Sequence, residues 1–148
     1  MTAADTTEAQ TRHIYTHWHA AITTGDIDAL MSLYAPHARF ESPSILVVLP
    51  ELGSGILEGH AAIRDFFTVG FSKLSGTFTD WYRTGDFFSN GRQLTWEYPR
   101  ATPSGDQTDL VEVMDIEAGL IVAHRVYWGW HGLRSLLSAA GPAHRQTA

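Results

Sequence analysis

The hydrophobic pattern of this chain changes its period close to Gly76. Before that point apolar residues recur at helical spacing, and after it they follow the pattern of β-strands. Helices are predicted over residues 7–24, over 26–34 and from 59 to just before 76. Gly25 ends the first helix, Asp26 caps the second and Pro36 closes it. A fold that alternates single strands with single helices is therefore not expected.

The second half carries the turn residues of a strand meander. The dipeptide Asn90-Gly91 is a strong hairpin signal, and further turns are predicted at residues 103–105 and 118–119. Strands are predicted over residues 38–41, 77–89, 92–102, 109–116 and 120–130, and a final helical turn is expected around Leu133, Leu136 and Leu137, closed at residues 141–142. Helices followed by antiparallel strands predict an α+β fold, with helices on one face of a curved sheet that leaves a pocket.

The length of 148 residues fits one domain, with residues 1–6 expected to be disordered and 141–148 expected to form a tail. The aliphatic run over residues 45–49 is interpreted as a core strand, as a lid over the pocket or as part of a dimer interface. It is far too short to span a bilayer, and no targeting signal is visible.

Composition excludes several classes of function. Ten basic and 16 acidic side chains give a formal charge of −6, which argues against nucleic acid and anionic membranes as partners. The absence of Cys removes disulfides, thiol nucleophiles and Cys-based metal centres, and it favours a cytoplasmic location. His13 and His17 lie four apart on a helix, but no third ligand is indicated, so neither a metal nor a cofactor is expected.

Two carboxylates are the first candidates for chemistry. A turn centred between Ser104 and Gly105 sets Glu97 opposite Glu112 on one face of an antiparallel pair. If that face is buried, one carboxyl should have a raised pKa, and the pair would then supply an acid and a base. A register shifted by one residue, or a solvated face, would remove this role.

The neighbours of Glu112 favour the buried alternative. Leu110, Met114 and Ile116 alternate with Glu112 on its face of the strand. On the last strand His124 shares a face with Val126 and Trp128, and we interpret His124 as either a third catalytic group or a hydrogen-bonded structural residue.

At this point the sequence resembles the ketosteroid-isomerase and SnoaL-like superfamily over most of its length. The resemblance rests on six segments: Gly25-Asp26-Ile27-Asp28-Ala29-Leu30, Leu33-Tyr34-Ala35-Pro36-His37-Ala38, Phe40-Glu41-Ser42-Pro43, Gly59-His60-Ala61-Ala62-Ile63-Arg64-Asp65-Phe66-Phe67, Val111-Glu112-Val113-Met114 and Arg125-Val126-Tyr127-Trp128. It implies a cone-shaped barrel in which a curved antiparallel sheet wraps around the N-terminal helices, with one internal pocket, and a homodimer formed through the outer sheet face. The superfamily hosts isomerases, dehydratases, cyclases, epoxide hydrolases and non-enzymes.

The resemblance also implies roles for single residues. Ser42 stands where ketosteroid isomerase has its general base, Trp18 stands at the oxyanion-hole tyrosine, and Glu112 matches the protonated acid of that hole. Tyr34 and Phe67 match supporting pocket residues. In the weaker resemblance to limonene epoxide hydrolase, Glu97 matches one aspartate of the triad, whereas Thr95 replaces the arginine and Gly129 the second aspartate.

The sequence therefore predicts a cofactor-independent acid–base enzyme, an isomerase, dehydratase or cyclase, that acts on a small hydrophobic metabolite such as a polyketide, terpenoid or steroid-like intermediate. Its expected catalytic residues are Glu97, Glu112 and His124, and its expected substrate-binding residues are Trp18, Tyr34, Ser42, Phe67 and Trp128. The alternatives are an epoxide hydrolase and a non-catalytic protein that binds an apolar small molecule.

Overall fold

A computed structural model describes residues 3–74, 80–100 and 107–140. The helices are α1 (Ala3–Thr24), α2 (Ile27–Met31), α3 (Ile45–Val48), α4 (His60–Leu74) and α5 (Trp130–Ala140), with a 3-10 turn over Pro50–Leu52. The strands are β1 (Tyr34–Glu41), β2 (Ile56–Glu58), β3 (Phe88–Ser89), β4 (Gln93–Tyr98), β5 (Leu110–Glu117) and β6 (Leu120–Trp128). The predicted α+β class is confirmed.

The six strands form one curved sheet in the order β2-β1-β6-β5-β4-β3. Neighbouring strands run antiparallel except β1 and β6, which are parallel, so the expectation of a wholly antiparallel sheet is wrong. The sheet is also open, with β2 and β3 at its edges, and the cone is not a closed barrel.

The N-terminal helices differ from the prediction at their ends. The first begins at Ala3, so residues 3–6 continue the helix instead of being disordered, and α2 stops at Met31, before Tyr34. Tyr34 starts β1, because its backbone pairs with Ile121 of β6. Pro36 is tolerated inside the strand since the β1–β6 register shifts between Tyr34 and Arg39, where a missing N–H breaks no regular ladder.

The hairpin at Asn90-Gly91 is confirmed. Gly91 adopts a φ of +86°, and the Asn90 side-chain oxygen accepts hydrogen bonds from the backbone N–H groups of Arg92 and Gln93. The strand predicted before it shrinks to Phe88–Ser89, because residues 80–87 have no strand partner and only two residues of β3 pair with β4. The rest of that prediction, residues 77–79, and the turn at 103–105 lie outside the described residues.

The later strands follow the prediction closely. A tight turn at Ala118 and Gly119, with φ values of 50° and 76°, joins β5 and β6. The final helical turn is longer than expected, since α5 runs for 11 residues. The predicted closing residues 141–142, like the rest of the expected tail, lie outside the described residues.

The aliphatic run over residues 45–49 forms the single helical turn α3, not a strand. Ile45 is fully buried and Val48 is nearly so, which ties this turn to the core that α1 and α4 build on the concave face of the sheet. The helix α3 contacts both α4 and α5.

Candidate active site

A cavity of about 280 Å³ lies between the concave sheet face and helices α1, α3, α4 and α5. Most of its lining is apolar: Ile22, Phe40, Val47, Val48, Phe66, Phe67, Phe71, Leu110, Val126, Leu136 and Ala139, with the rings of Trp18, Trp81 and Trp128. A space of this size and character suits a small apolar molecule.

Glu112 and His124 bring ionisable groups into this apolar cavity. Glu112 pairs with Val126 and Met114 pairs with His124, so the two side chains are diagonal neighbours on one face of β5 and β6. Their side chains are 8% and 1% exposed, and the His124 Nε2 to Glu112 Oε2 distance is 2.5 Å. The structure thus brings together two of the three predicted catalytic residues.

A chain of buried hydrogen bonds continues behind His124. The Trp18 indole N–H donates to the Tyr34 hydroxyl at 3.2 Å, and the same hydroxyl lies 2.8 Å from His124 Nδ1. Burial raises the pKa of Tyr34 well above its usual value, and the charge of Glu112 adds to this effect while the Trp18 hydrogen bond opposes it. The Tyr34 phenol therefore keeps its proton.

These bonds can be assigned a direction. An indole N–H can only donate, so the Tyr34 oxygen accepts a hydrogen bond from Trp18, and the Tyr34 O–H donates a hydrogen bond to His124 Nδ1. His124 then carries its hydrogen on Nε2, and this N–H donates a hydrogen bond to Glu112 Oε2. If His124 instead donated to Tyr34 and accepted from Glu112, the Tyr34 hydroxyl hydrogen would have no acceptor among the described residues. The hydrogen-bonded chain therefore ends at Glu112, whose Oε2 accepts the His124 N–H.

The predicted pairing of Glu97 with Glu112 is wrong. Trp96 pairs with Glu112, and Glu97 pairs with Val111 and is exposed on the opposite face. The observed register buries three large side chains of β4, Leu94, Trp96 and Tyr98, on the concave face. Because a shift by one residue turns every side chain over, this apolar set excludes Glu97 from the cavity.

Four of the five predicted substrate-binding residues line the cavity, namely Trp18, Ser42, Phe67 and Trp128. The fifth, Tyr34, lies behind His124 as part of the hydrogen-bonded chain. Ser42 is 1% exposed and accepts hydrogen bonds from the Trp128 indole and from the backbone N–H of Ser44.

Sequence reasoning missed a second polar pair, formed by Tyr98 and His19. The His19 Nδ1–H donates to the Tyr15 carbonyl at 2.7 Å, which leaves Nε2 to accept from the Tyr98 hydroxyl at 3.1 Å. Tyr98 lines the cavity, and its pKa is raised mainly by burial and further by the charge of Glu112. The alternation of Tyr98 with Trp96 would have pointed to it once the β4 register was known.

The histidines considered as metal ligands have other contacts. The His17 Nδ1–H donates to the carbonyl oxygen of His13 at 2.8 Å, and the two rings stack. Within residues 3–74, 80–100 and 107–140, no three His, Cys, Asp or Glu side chains lie close enough to share a metal ion. Over the same ranges, no helix is both long and apolar enough to cross a membrane.

The fold, with helices over the concave face of an open curved sheet, is that of the α+β cone proteins known as NTF2-like. The SnoaL-like domain model matches residues 15–124, which is most of the chain. The chain belongs to the SnoaL-like domain family. Its predicted membership of that superfamily is confirmed.

Solved structures with this fold are similar to the chain at low sequence identity. A SnoaL-like protein of unknown function from Burkholderia thailandensis has a TM-score of 0.64 at 20% identity, over 82% of this chain and 95% of that one. The epoxide hydrolase/cyclase-like enzyme SalBIII, with a role in pyran ring formation in the polyether salinomycin, has a TM-score of 0.54 at 21% identity, over 83% and 93%.

A putative ketosteroid isomerase from Kribbella flavida has a TM-score of 0.55 at 13% identity, over 82% of this chain and 78% of that one. At these identities the similarity establishes the fold and not the reaction. A comparison with curated protein sequences found no match.

Proposed function

We propose that this protein is a cofactor-independent acid–base enzyme in which Glu112 removes a proton from a small, largely apolar substrate. The observation that carries the proposal is the placement of the Glu112 carboxylate. It lines an apolar cavity, and one of its oxygens is held by a directed chain of buried hydrogen bonds. Isomerisation, dehydration and cyclisation can each begin with such a proton transfer.

The surroundings of Glu112 suit a general base. The His124 Nε2–H fixes one carboxylate oxygen, and His124 is the one hydrogen-bond partner of this carboxylate among the described residues. The second carboxylate oxygen, Oε1, therefore has no hydrogen-bond partner among the described residues and is available to a ligand in the cavity. In this proposal His124 positions Glu112, and Tyr34 with Trp18 positions His124.

The substrate class follows from the cavity walls. The rings and aliphatic side chains around the cavity favour an apolar skeleton, and its volume of about 280 Å³ limits the skeleton to a few fused rings or less. Polyketide, terpenoid and steroid-like intermediates belong to this chemical class. Of the structures similar in fold, SalBIII has a role in pyran ring formation in a polyether, and the protein from Kribbella flavida is a putative ketosteroid isomerase.

Epoxide opening by the triad of limonene epoxide hydrolase is not favoured. Glu97, the surviving triad position, faces away from the cavity. A side chain at Gly129 would collide with the Asp109 carboxylate, since a Cβ there would lie 2.1 Å from Asp109 Oδ2. A non-catalytic binding protein is the remaining alternative, and it would share the same cavity.

A generic proton-transfer probe tests the proposal without knowledge of the natural substrate. In 5-nitrobenzisoxazole a base removes the hydrogen on carbon, the electrons of that C–H bond form a nitrile, and the N–O bond breaks to release a coloured phenolate. The base ends up protonated and returns its proton to water. The reaction needs no cofactor, and the probe is a small apolar molecule of suitable size.

The expected result is turnover by the wild-type protein that falls at least 100-fold in Glu112→Gln, since a positioned base contributes about 10²–10⁴-fold. Glu97→Gln is the matched control, because it removes an exposed carboxylate of the neighbouring strand, and it should retain full activity. Equal rates for wild type and Glu112→Gln, with both proteins folded, would favour the binding protein.

A further inference from the structure

The polar groups of the cavity include a further cluster, distinct from the Glu112–His124 pair, that the proton-transfer step does not use. The cluster consists of Ser42, Ser44 and Trp128, and all three line the cavity. Ser42 is one residue beyond the end of β1, and Ser44 lies between it and the single-turn helix α3.

Two of the hydrogen bonds within this cluster have a fixed direction, because their donors are N–H groups. The Trp128 indole N–H donates to Ser42 Oγ at 3.3 Å, and the Ser44 backbone N–H donates to the same oxygen at 3.2 Å. A hydroxyl has two acceptor positions, so both are occupied. The Ser42 hydroxyl proton therefore points to Ser44 Oγ, which lies 2.7 Å away.

This direction determines where the Ser44 hydroxyl can donate. Its oxygen accepts from Ser42, so its own proton must go to another acceptor. Ser44 precedes α3, but its side chain makes no capping hydrogen bond to that helix. Within the described ranges, Ser44 Oγ has no acceptor other than Ser42 Oγ. Ser44 thus presents an uncommitted O–H at the cavity wall.

Most other donors along the cavity wall are already committed. The Trp18 indole bonds to Tyr34, the Tyr98 hydroxyl to His19, and the Ser135 hydroxyl to the His131 carbonyl. Thr108 is the rival, since its hydroxyl also lines the cavity. Ser44 is favoured over Thr108 because the 1% exposed Ser42 holds its oxygen in place, whereas no comparable contact orients Thr108 within the described residues.

We propose that the Ser44 hydroxyl binds an uncharged oxygen acceptor of the ligand, such as a carbonyl, at the end of the cavity away from Glu112. Glu41 pairs with Arg125, so Ser42 lies beside Val126, which pairs with Glu112. Two strand spacings therefore separate Ser42 from Glu112, roughly 10 Å between Cα atoms. The ligand would carry its oxygen acceptor on one side of an apolar skeleton and its acidic bond on the other.

The inference rests on the cavity of the proposed function and not on the proton transfer itself. It is tested by binding alone, with 1-indanone and indane as probes of nearly equal shape that differ in one carbonyl oxygen. The dissociation constants are measured by chemical-shift titration for wild type, Ser44→Ala and Thr108→Val, with the exposed Ser72→Ala of α4 as a neutral control.

The expected result is that Ser44→Ala weakens 1-indanone binding roughly 3- to 10-fold, the worth of one neutral hydrogen bond, and leaves indane binding unchanged. The infrared carbonyl band of bound 1-indanone should shift to higher frequency in Ser44→Ala. Equal losses for both probes, no loss for either, or a selective loss in Thr108→Val instead would overturn the assignment. None of these outcomes depends on turnover, so a failure of Glu112 as a base would be recognised separately.

Discussion

The side chains of Glu112 and His124 meet across β5 and β6 because the strands pair Met114, and not Glu112, with His124. This offset places the two residues diagonally, and it lets His124 Nε2 reach the carboxylate while Nδ1 points back to Tyr34. Four consecutive buried groups are joined in this way, from Trp18 to Glu112.

The hydroxyl of Tyr34 is expected to be structurally necessary. Tyr34→Phe keeps the ring but leaves the Trp18 N–H and His124 Nδ1 without their shared partner in a buried site. We expect the free energy of unfolding to fall by about 1–3 kcal/mol, the cost of unsatisfied buried polar groups. Urea denaturation measures it, and Tyr82→Phe, at a part-exposed ring, should leave the value nearly unchanged. If Tyr34→Phe were as stable as the wild type, the hydrogen bonds of Tyr34 would contribute nothing to the free energy of unfolding.

Two helical glycines should respond to alanine in opposite directions. At Gly132 of α5 a Cβ would lie 2.7 Å from the Asp109 carbonyl oxygen and 2.8 Å from Trp128 Cε3, so Gly132→Ala must displace α5 from β6. At Gly70 of α4 a Cβ meets nothing within 4 Å, and Gly70→Ala should stabilise the helix by about 0.5–1 kcal/mol. Thermal unfolding of both variants checks the pair. A lower melting temperature for Gly70→Ala than for Gly132→Ala would contradict the placement of α5.

The turn between β5 and β6 carries backbone strain at Ala118 that a glycine would relieve. Ala118 adopts a φ of 50°, a region that favours glycine, next to Gly119 at 76°. Ala118→Gly should raise the free energy of unfolding by about 0.5–1 kcal/mol, because glycine adopts this conformation without steric cost. Gly119→Ala is the opposite test and should lower it. Destabilisation by Ala118→Gly would argue against the positive φ.

The ion pair of Asp115 and Arg125 should make stability depend on acid pH. Hydrogen bonds from Arg125, at 2.7 and 3.0 Å, are the main cause that lowers the pKa of the Asp115 carboxyl. A carboxyl whose folded pKa is lowered stabilises the fold above its unfolded pKa, and this contribution is lost as the pH falls through the folded pKa. With side chains 38% and 26% exposed, the contribution at neutral pH should be about 1 kcal/mol or less.

Asp115→Asn should therefore be less stable than wild type at pH 7, and the difference should vanish in strong acid. Denaturant unfolding at several pH values measures this, with Glu117→Gln as a control at an exposed carboxylate of the same strand. A difference between Asp115→Asn and wild type that grows as the pH falls would have the wrong sign for this ion pair.

Sequence reasoning located the elements whose signals are local. The hairpin at Asn90-Gly91 and the fourth helix after Gly59 depend on neighbouring residues, and both are close to their predicted positions. Tyr34 was assigned to a helix because its strand partner, Ile121, is far away in the chain. Local pattern gives no signal for a parallel partner of that kind.

The candidate site shows the same division. The alternation around Glu112 correctly indicates that its side chain faces the apolar side of its strand, because the alternation of buried and exposed positions can be recognised from neighbouring residues alone. Glu97 was misplaced because its face depends on a register set by a turn, and a one-residue shift is invisible to alternation alone. The role proposed for Ser44, beside the predicted Ser42, follows only from hydrogen-bond directions, which the sequence does not give.

The role of Glu112 as the base in this cavity can be measured through the pH dependence of the wild-type elimination rate with 5-nitrobenzisoxazole. We expect kcat/KM to rise as a single group loses its proton and then to level off, with this entire pH-dependent component absent in Glu112→Gln and retained in Glu97→Gln. A wild-type rate that only follows the hydroxide concentration, or the same profile in Glu112→Gln, would contradict it.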